Sequence, residues 1–440
     1  MFFVDFKQIW VVIMKFLILT QGCKVNQYDS DIISAAMLSN GYIRADENDT
    51  PDIVIVNTCT VTENGDKKAR RLISKLRRDY PSAVIAVTGC YPQAFPKEAA
   101  LNRYADIVVG NSENKSIPAL ISEFTESKAK KIKIEPHERE FYEPEEFFHS
   151  GKTRAFIKIE DGCNRFCSYC IIPTARGRIR SRSLSNIIKE TDFHAKDGHK
   201  EIVLTGINLS CYGADLGLTL FDAVQAVSDN PLIERVRLSS LEPELLTPEQ
   251  IEKLSKIEKL CPHFHLSLQS GCDETLKRMN RHYTSEEYAE IVENLRKAFP
   301  ACAITTDIMV GFAGETEEEF EKSLEFAERI GFSRVHVFTY SIRPGTAAAL
   351  MPDQVSETAK EQRYGKMTGL SERLRRDFFE KNLNTVHKVL IERQISPEYI
   401  NGYTESYIPV RIYGGKAKRH DIVKVKITEV KENFCVGTVV

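Results

Sequence analysis

The chain has 440 residues and carries 60 Lys and Arg against 62 Asp and Glu, a formal charge of −2. With 42% hydrophobic and 28% charged residues it can build real cores and stay in solution, which excludes a disordered or collagen-like chain and suggests two to four domains. Balanced charge also excludes a histone-like polycation, so any contact with nucleic acid must be regional.

The apolar run Ile9–Leu19 is broken by Lys15 and is shorter than the roughly 20 residues a spanning helix needs. Asp5 and Lys7 precede it and no cleavage-like site follows, so neither a membrane partner nor a signal peptide is expected, and the expected compartment is the cytoplasm. Met14 opens a plausible first strand, and residues 1–13 are expected to be an upstream extension. Phe16–Leu19, Ile53–Val56, Val84–Val87 and Ile107–Val109 read as buried strands separated by helical stretches. That alternation predicts a parallel sheet in a doubly wound α/β domain over residues 14–124. Residues 125–150, with Lys128, Lys130, Lys131 and Lys133 followed by Glu138, Glu140, Glu143, Glu145 and Glu146, read as a charged linker.

Over residues 151–378 six strand-like runs recur: Arg154–Ile159, Glu201–Gly206, Arg235–Ser240, Phe264–Gln269, Ile304–Gly311 and Arg334–Ser341. Most are followed by a helical stretch, which predicts a partial (β/α) barrel of six units. Alternation along a strand sends Phe264, Leu266 and Leu268 toward the helices and His265, Ser267 and Gln269 toward the lumen. The same rule sends Ile304, Thr306, Ile308 and Val310 outward and Thr305, Asp307 and Met309 inward. A polar lumen needs a ligand. After a helical stretch at Thr358–Asn384, residues 380–440 read as short strands at Val386–Glu392, Tyr407–Ile412, Ile422–Glu429 and Cys435–Val439. Over 381–440 there are ten Lys and Arg against six Asp and Glu, as expected of a small antiparallel β-barrel that reads nucleic acid. A β-domain that merely packs on the barrel is the plainer alternative.

Eleven cysteines stand at 23, 59, 90, 163, 167, 170, 211, 261, 272, 302 and 435. An odd count without an export signal argues against a disulfide framework. Cys163, Cys167 and Cys170 lie in the loop after the first barrel strand, four and then three residues apart, and three such thiolates can hold three corners of a [4Fe–4S] cube with one iron left open. Zinc would ask for a fourth ligand and usually for two Cys-x₂-Cys knuckles. Cys23, Cys59 and Cys90 each follow a predicted strand of the first domain, so all three fall at the carboxyl edge of one parallel sheet, where open α/β folds bind ligands. Dispersed cysteines of this kind are as often buried apolar residues as ligands. The other five have no ligand-like spacing and read as ordinary thiols.

The Cys-x₃-Cys-x-aromatic-Cys pattern, with Tyr169 as the aromatic, resembles the radical S-adenosylmethionine (SAM) superfamily. That resemblance implies a cluster whose open iron binds SAM and whose electron releases methionine and a 5′-deoxyadenosyl radical. With the first cysteine trio and the terminal β-barrel, which looks like the RNA-binding TRAM domain, the whole chain resembles the methylthiotransferases. Gly22-Cys-Lys-Val-Asn-Gln-Tyr28, Val56-Asn-Thr-Cys-Thr-Val61 and Gly162-Cys-Asn-Arg-Phe-Cys-Ser-Tyr-Cys-Ile-Ile-Pro173 look most like the MtaB-type branch, which modifies threonylcarbamoyladenosine in tRNA. The resemblance implies insertion of sulfur and a methyl group at C2 of that adenosine beside the anticodon. It implies two [4Fe–4S] clusters, at Cys163, Cys167 and Cys170 and at Cys23, Cys59 and Cys90. It also implies two SAM molecules per turnover, tRNA, an electron donor such as a flavodoxin or ferredoxin, and a sulfur source. A radical meets a physical need, because no side-chain base removes an unactivated C–H proton at neutral pH.

For SAM the lumen and strand ends are the expected seat: Tyr169 beside the cysteines, Thr205-Gly206-Ile-Asn208, Ser239-Ser-Leu-Glu242, Ser267-Leu-Gln269, Asp307 and Gly311. Gly206 allows close backbone approach, while Asn208, Glu242 and Gln269 can hydrogen-bond amino, carboxylate or ribose groups. Asp307 and Gln269 could instead only satisfy a polar lumen, and His265 and His336 read as lumen residues rather than ligands. Arg176, Arg178, Arg180 and Arg182 recur at every second position, so an extended segment would show one positive face to RNA phosphate or a SAM carboxylate. Lys67, Lys68, Arg70, Arg71, Lys75, Arg77 and Arg78 share one predicted helix, either a salt-bridged surface or a tRNA contact. The rival readings are a sister enzyme acting on isopentenyladenosine or on a ribosomal-protein aspartate and, from another class, a non-catalytic iron–sulfur RNA-binding protein.

Overall fold

A computed structural model describes residues 14–46, 48–392, 394 and 396–440. The expectation for residues 1–13, and the apolar run before Met14, lie outside the described residues. The described residues form two compact units, one of those up to residue 60 with 64–136 and one of 61–63 with those from 137 on.

In the first unit, β1 (Lys15–Thr20), β2 (Ile43–Arg44), β3 (Ile53–Thr58), β4 (Val84–Gly89), β5 (Ile107–Val109) and β6 (Lys131–Lys133) form one parallel sheet in the order β2-β1-β3-β4-β5-β6. The helices are α1 (Lys24–Ser39), α2 (Glu63–Asp79), the short α3 (Cys90–Ala94) and α4 (Pro96–Ala100), and α5 (Ile117–Ser127). Alternation along the strands splits their apolar side chains between two cores. Phe16, Ile18, Ile55 and Ala86 pack under Ile33, Met37 and Ile121 of α1 and α5, while Val54, Val56, Ile85 and Val87 pack under Ile73 and Leu76 of α2. Both faces are covered, as a sheet of nearly continuous apolar strands requires. The stretch expected to be a linker from residue 125 differs here: α5 runs to Ser127, and Lys131–Lys133 pairs with β5 as the sixth strand. Its lysines are half-buried and paired, Lys131 with Glu123 at 3.3 Å and Lys133 with Glu113 at 2.9 Å.

In the second unit the barrel strands are β7 (Ala155–Lys158), β10 (Glu201–Thr205), β11 (Arg235–Leu238) with its continuation β12 (Ser240–Leu241), β13 (His263–Leu266), β14 (Ala303–Val310) and β15 (Arg334–Thr339). A two-stranded antiparallel ribbon, β8 (Glu160–Asp161) with β9 (Arg180–Ser181), frames the cysteine loop. The intervening helices are α6 (Ile172–Arg176), α7 (Leu184–Lys196), α8 (Leu220–Ser228), α9 (Pro248–Ser255), α10 (Asp273–Arg278), α11 (Ser285–Ala298) and α12 (Glu317–Ile330), and α13 (Glu357–Lys381) follows β15. All barrel pairings are parallel, and a bridge between Val236 and Leu260 carries the order from β7-β10-β11 to β12-β13-β14-β15. Six units thus line up in a partial barrel. Local sequence starts its helices. Thr284 and Thr316 each accept from the N–H three residues on, and Glu287 and Glu319 answer to the Thr backbone, closing capping boxes on α11 and α12. The strand alternation holds: Phe264, Leu266, Leu268, Ile304, Ile308 and Val310 join the core under the helices.

The C-terminal part is a closed five-stranded barrel of β16 (Val386–Ile391), β17 (Tyr399–Thr404), β18 (Pro409–Tyr413), β19 (Ile422–Val430) and β20 (Cys435–Val439), ordered β16-β17-β18-β20-β19. Two expectations need correction. The sequence reading had four strands and passed over Tyr399–Thr404, whose Asn401 and Gly402 look like a turn; yet Ile400 and Thr404 alternate inward and are buried. Nor is the barrel wholly antiparallel, because β18 closes on β20 in parallel. Among the described residues no helix is long and apolar enough to cross a membrane.

Candidate functional site

Barrel strands deliver their C-terminal ends to one mouth, and the loop after β7 and β8 carries Cys163, Cys167 and Cys170 there. The three thiols are half-buried, and the charge of Cys167 raises both Cys163 and Cys170. Burial first, and then Cys167, push Cys170 up to about 12, and burial likewise raises Cys163. A cation centred among them would reverse that cost by taking the thiolates as ligands. Hydrogen-bond donors already face the sulfurs. The Arg165 N–H lies 3.4 Å and Asn208 Nδ2 3.8 Å from Cys163 Sγ, and Arg281 Nη1 lies 3.3 Å from Cys167 Sγ. Donors on cysteine sulfur are what an iron–sulfur site uses to orient and tune its ligands. The donor set therefore fits a cluster. Tyr169 packs edge-on to Phe312 at 6.3 Å, against the apolar group of Met279, Phe312, Ala313 and Tyr340.

The four-arginine segment is not a positive face. The helix α6 ends at Arg176, and Arg176, Arg180 and Arg182 are buried, leaving Arg178 exposed over the Phe166 ring. Arg176 bonds Asp161 at 3.2 Å, Arg180 donates to the Arg176 and Arg178 carbonyls, and Arg182 pairs with buried Glu190. Burial alone would raise the Asp161 carboxyl, but Lys158, Arg176 and Arg180 overrule it and hold it far below the ordinary range. These ion pairs brace the ribbon behind the cysteine loop. They arise because Asp161 and Glu190, on neighbouring elements, need buried partners.

Of the residues expected to hold SAM, Asn208 stands beside Cys163 and Gly206 against Glu160. A Cβ on Gly206 would lie 2.7 Å from Glu160 Oε2, and the same carboxylate oxygen accepts from the Asn208 N–H at 2.8 Å. Buried polar atoms at these strand ends lack a hydrogen-bond partner among the described residues: Asn208 Oδ1, Glu160 Oε1 and Ser239 Oγ. Such atoms fit a polar ligand that would satisfy them. Glu242 bonds Arg281, which also reaches the Ser267 carbonyl at 2.9 Å and the Tyr283 hydroxyl at 3.0 Å. Burial pushes the Glu242 carboxyl up to about 7 against the pull of Arg281.

Asp307 belongs to a second polar group further round the lumen. His265 bonds Thr305 at 3.0 Å and stands 3.3 Å from Asp307, with the His336 ring at 5.7 Å. Gln269 takes a left-handed backbone and exchanges backbone hydrogen bonds across to Asp307 and Met309. Gly311 donates its N–H to Glu315. Two residues at the mouth escaped the sequence reading, Glu160 and Arg281. Glu160 precedes the cysteine loop by three residues and could have been noticed. Arg281 lies 111 residues beyond Cys170 in sequence, and nothing local marks it.

In the first unit Cys23, Cys59 and Cys90 follow β1, β3 and β4, three adjacent strands, at the carboxyl edge where the strand order reverses between β1 and β3. Their loops touch: a Cβ on Gly22 would lie 3.0 Å from Cys59 Cβ, and one on Gly89 would lie 2.3 Å from the Thr58 carbonyl. Cys23 is exposed, Cys59 half-buried and Cys90 buried. Cys23 is also the N-cap residue of α1, and its sulfur does not cap the helix. A ladder of buried amides and hydroxyls fixes the edge. Asn26 and Asn57 exchange hydrogen bonds at 3.2 and 2.9 Å, Thr58 reaches the Thr88 carbonyl at 2.6 Å, and Thr88 reaches Asn114 at 2.6 Å. Among the described residues no three His, Cys, Asp or Glu side chains are grouped as ligands of a single metal ion. On α2, Lys67, Lys68, Arg71, Lys75 and Arg78 are exposed, whereas Arg70 pairs with Glu98 and Arg77 with Asp106.

Comparison with known proteins adds three family matches: the radical SAM superfamily over residues 157–327, the uncharacterized protein family UPF0004 over 15–110 and the TRAM domain over 380–440. The chain is 39% identical to the threonylcarbamoyladenosine tRNA methylthiotransferase MtaB of Bacillus subtilis, over 93% of this chain and 92% of that one. It is 35% identical to the tRNA-2-methylthio-N(6)-dimethylallyladenosine synthase of Clostridium botulinum strain Hall, over 97% of each. Among solved structures the radical S-adenosylmethionine methyltransferase TsrM of Kitasatospora setae aligns over 77% of each chain with a TM-score of 0.56 at 16% identity, a likeness of fold. Membership of the radical SAM superfamily implies SAM and a [4Fe–4S] cluster, and tRNA as the substrate follows from the methylthiotransferase relatives. The chain belongs to the radical SAM tRNA methylthiotransferases.

Proposed function

We propose that this enzyme methylthiolates C2 of N6-threonylcarbamoyladenosine next to the anticodon, with one [4Fe–4S] cluster on Cys163, Cys167 and Cys170 and a second on Cys23, Cys59 and Cys90. The observation that carries the reading is the placement of two cysteine trios, each on loops at the carboxyl edge of its own parallel sheet, one of them under N–H donors from Asn208 and Arg281. When bound, the cluster at the barrel mouth would pass one electron to the SAM sulfonium and so generate a 5′-deoxyadenosyl radical. The chain's own part is placement and exclusion. Asn208, Glu242 and the Ser239 hydroxyl offer polar partners to SAM's amino, carboxylate and ribose groups, Gly206 lets the Glu160 carboxylate close against the strand end beside them, and Tyr169 walls the loop with apolar surface. Asp307 and Gln269 would complete the lumen on the far side. The second cluster would handle sulfur, with a sulfur source and a flavodoxin- or ferredoxin-like reductant as partners in the cytoplasm. The threonylcarbamoyl substrate is favoured over isopentenyladenosine or a ribosomal-protein aspartate by the residues around Cys23, Cys59 and Cys163 and by the MtaB relatives.

The test is anaerobic iron and sulfide analysis with product mass spectrometry. Reconstituted wild type should hold about eight iron per chain and the Cys163/Cys167/Cys170→Ala variant about four. Only wild type should release 5′-deoxyadenosine, and only tRNA bearing threonylcarbamoyladenosine should gain the methylthio mass. About four iron in wild type would remove the second cluster, and product on an isopentenyladenosine tRNA instead would overturn the substrate. Binding of tRNA without 5′-deoxyadenosine release would favour a non-catalytic RNA-binding protein.

A further inference from the structure

A column of imidazole rings joins the large barrel to the small one. His194 stands in the last turn of α7, His199 leads into β10, and His420 lies on the loop between β18 and β19. The ring centroids of His194 and His199 are 5.3 Å apart and those of His199 and His420 5.1 Å, each pair nearly edge to face at 76° and 85°. Phe193 extends the column outward, 5.2 Å from His194 and 4.4 Å from His149. His194 and His199 are 5% and 2% exposed, and His420 is half-buried. His420 also holds a left-handed backbone with φ of +72°, a costly conformation for a residue other than glycine.

Little negative charge answers these rings. His199 Nε2 donates to the Lys152 carbonyl at 3.0 Å, and its Nδ1 lies 3.3 Å from the His194 carbonyl and 3.4 Å from Asp197. Asp197 is partly exposed and already bonds His149 at 2.9 Å. Glu190 faces His194 at 3.5 Å but pairs more closely with Arg182. The Nδ1 atoms of His194 and His420 are buried without a hydrogen-bond partner among the described residues. Around His420 stand Arg419, which bonds Thr153 and the Gly151 carbonyl, and the carboxylates of Asp197, Glu392 and Asp421. Burial, then His194 and His420, bring His199 down to about 4, and burial and Arg419 lower His420 as well. The rings therefore pack neutral, and a proton on His199 would put a buried charge between two further imidazoles.

We propose that the column is an acid-sensitive latch, which holds the loop of residues 414–421 against the large barrel while its rings are neutral and lets that corner of the small barrel swing away when His199 and His420 take up protons. Both imidazoles bind protons more readily once parted from the column. Opening therefore grows as pH falls below the ordinary histidine value near 6.5 and levels off below about 4. Over that span His199 alone raises the opening constant roughly 300-fold. A second contact stays shut meanwhile. Arg235 and Arg237, held by Glu201, bond the Lys388 and Glu405 carbonyls, and Glu201 keeps its charge to far lower pH. The small barrel thus hinges at those arginines while the histidine side opens.

The experiment is hydrogen–deuterium exchange on the full-length protein, corrected for intrinsic amide rates. Between about pH 7.5 and about pH 5.5 the peptides covering residues 414–421 and 149–154 are expected to lose protection about tenfold, while those covering β14 keep theirs. His420→Phe keeps a ring that cannot charge and should lessen the change, and His199→Phe/His420→Phe should abolish it. In wild-type NMR the Cε1–H of His199 should titrate well below the ordinary histidine value, a readout that needs no variant to fold. Protection that is unchanged with pH, opening that grows as pH rises, an equal change in the double variant, or a His199 midpoint at the ordinary value would overturn the latch. Loss of protection in β14 over the same range would mean general acid unfolding and would overturn it too.

Discussion

Arg281 brings a rigid fork of N–H donors into a buried site and spends them on four partners: Cys167 Sγ, the Glu242 carboxylate, the Ser267 carbonyl and the Tyr283 hydroxyl. A charged donor on a ligand sulfur favours the reduced, more negative state of a cluster. Arg281→Met is therefore expected to lower the midpoint potential of the cluster proposed on Cys163, Cys167 and Cys170, with Arg281→Lys falling between it and wild type in an EPR-monitored titration. The same Met variant strands the Glu242 carboxylate, so its unfolding free energy should drop by about 3 kcal/mol or more; equal potentials in all three proteins would show the sulfur contact to be idle. At the other trio, Cys23→Ala should leave 5′-deoxyadenosine release largely intact while abolishing methylthiolation, and loss of both would mean the two sites do not separate. The four- and three-residue spacing of Cys163, Cys167 and Cys170 marks that trio along the chain. Arg281 is not so marked, because its partners Glu242 and Cys167 lie 39 and 114 residues away and a lone arginine in a sequence does not announce its neighbours.

Elements hold the first trio through contacts between loops. Gly89 ends β4 with φ of +100°, and a Cβ there would lie 2.3 Å from the Thr58 carbonyl, so any side chain meets both backbone strain and a backbone clash. Gly89→Ala is expected to destabilise the first unit by roughly 2–3 kcal/mol and to lower the iron content while leaving the barrel's cluster in place, as thermal melts and iron analysis would record. Asn57→Ala breaks its three side-chain hydrogen bonds to Asn26 and Ser30 of α1 and should cost about 2 kcal/mol. Strand positions were readable because apolar runs bounded by glycine and helix signals are local. The four arginines were misread for the converse reason. Alternation fits an extended segment, but the chain there is a helix end followed by a two-residue strand, and acids on neighbouring elements draw three of the four inside. Tyr399–Thr404 was passed over because Asn and Gly are turn residues in isolation, and only a neighbouring strand makes a ladder of them.

Within the second unit the small β-barrel sits on a buried charge cluster. Glu201, fully buried, accepts from Arg154 at 2.9 Å, Arg237 at 2.7 Å and Arg235 at 3.4 Å. Those arginines reach onward to the carbonyls of Lys388, Tyr403 and Glu405 and to the Glu392 carboxylate. Burial would raise Glu201, but Arg237 and Arg154 outweigh it and bring it down to about 2. Its folded value lies below its unfolded one, so the stabilisation is present above about pH 4.5 and is lost as pH falls toward 2. The shift corresponds to roughly 3 kcal/mol. Acid unfolding of Glu201→Gln should accordingly lack that component, and its stability at pH 7 should fall because three arginines lose their anion. A Gln variant with wild-type stability across pH 7 to 3 would exclude Glu201 as the hub.

Residue order alone determined the alternation of strand and helix, the two parallel sheets, the terminal β-region and the spacing of Cys163, Cys167 and Cys170, because periodicity and spacing along a chain are local properties. What the arginines do, which strands close the small barrel, and how Glu160, Asn208, Glu242 and Arg281 meet at one mouth were decided in three dimensions. Burial and ion pairing depend on which segments the fold makes neighbours, and that is not written within any one segment.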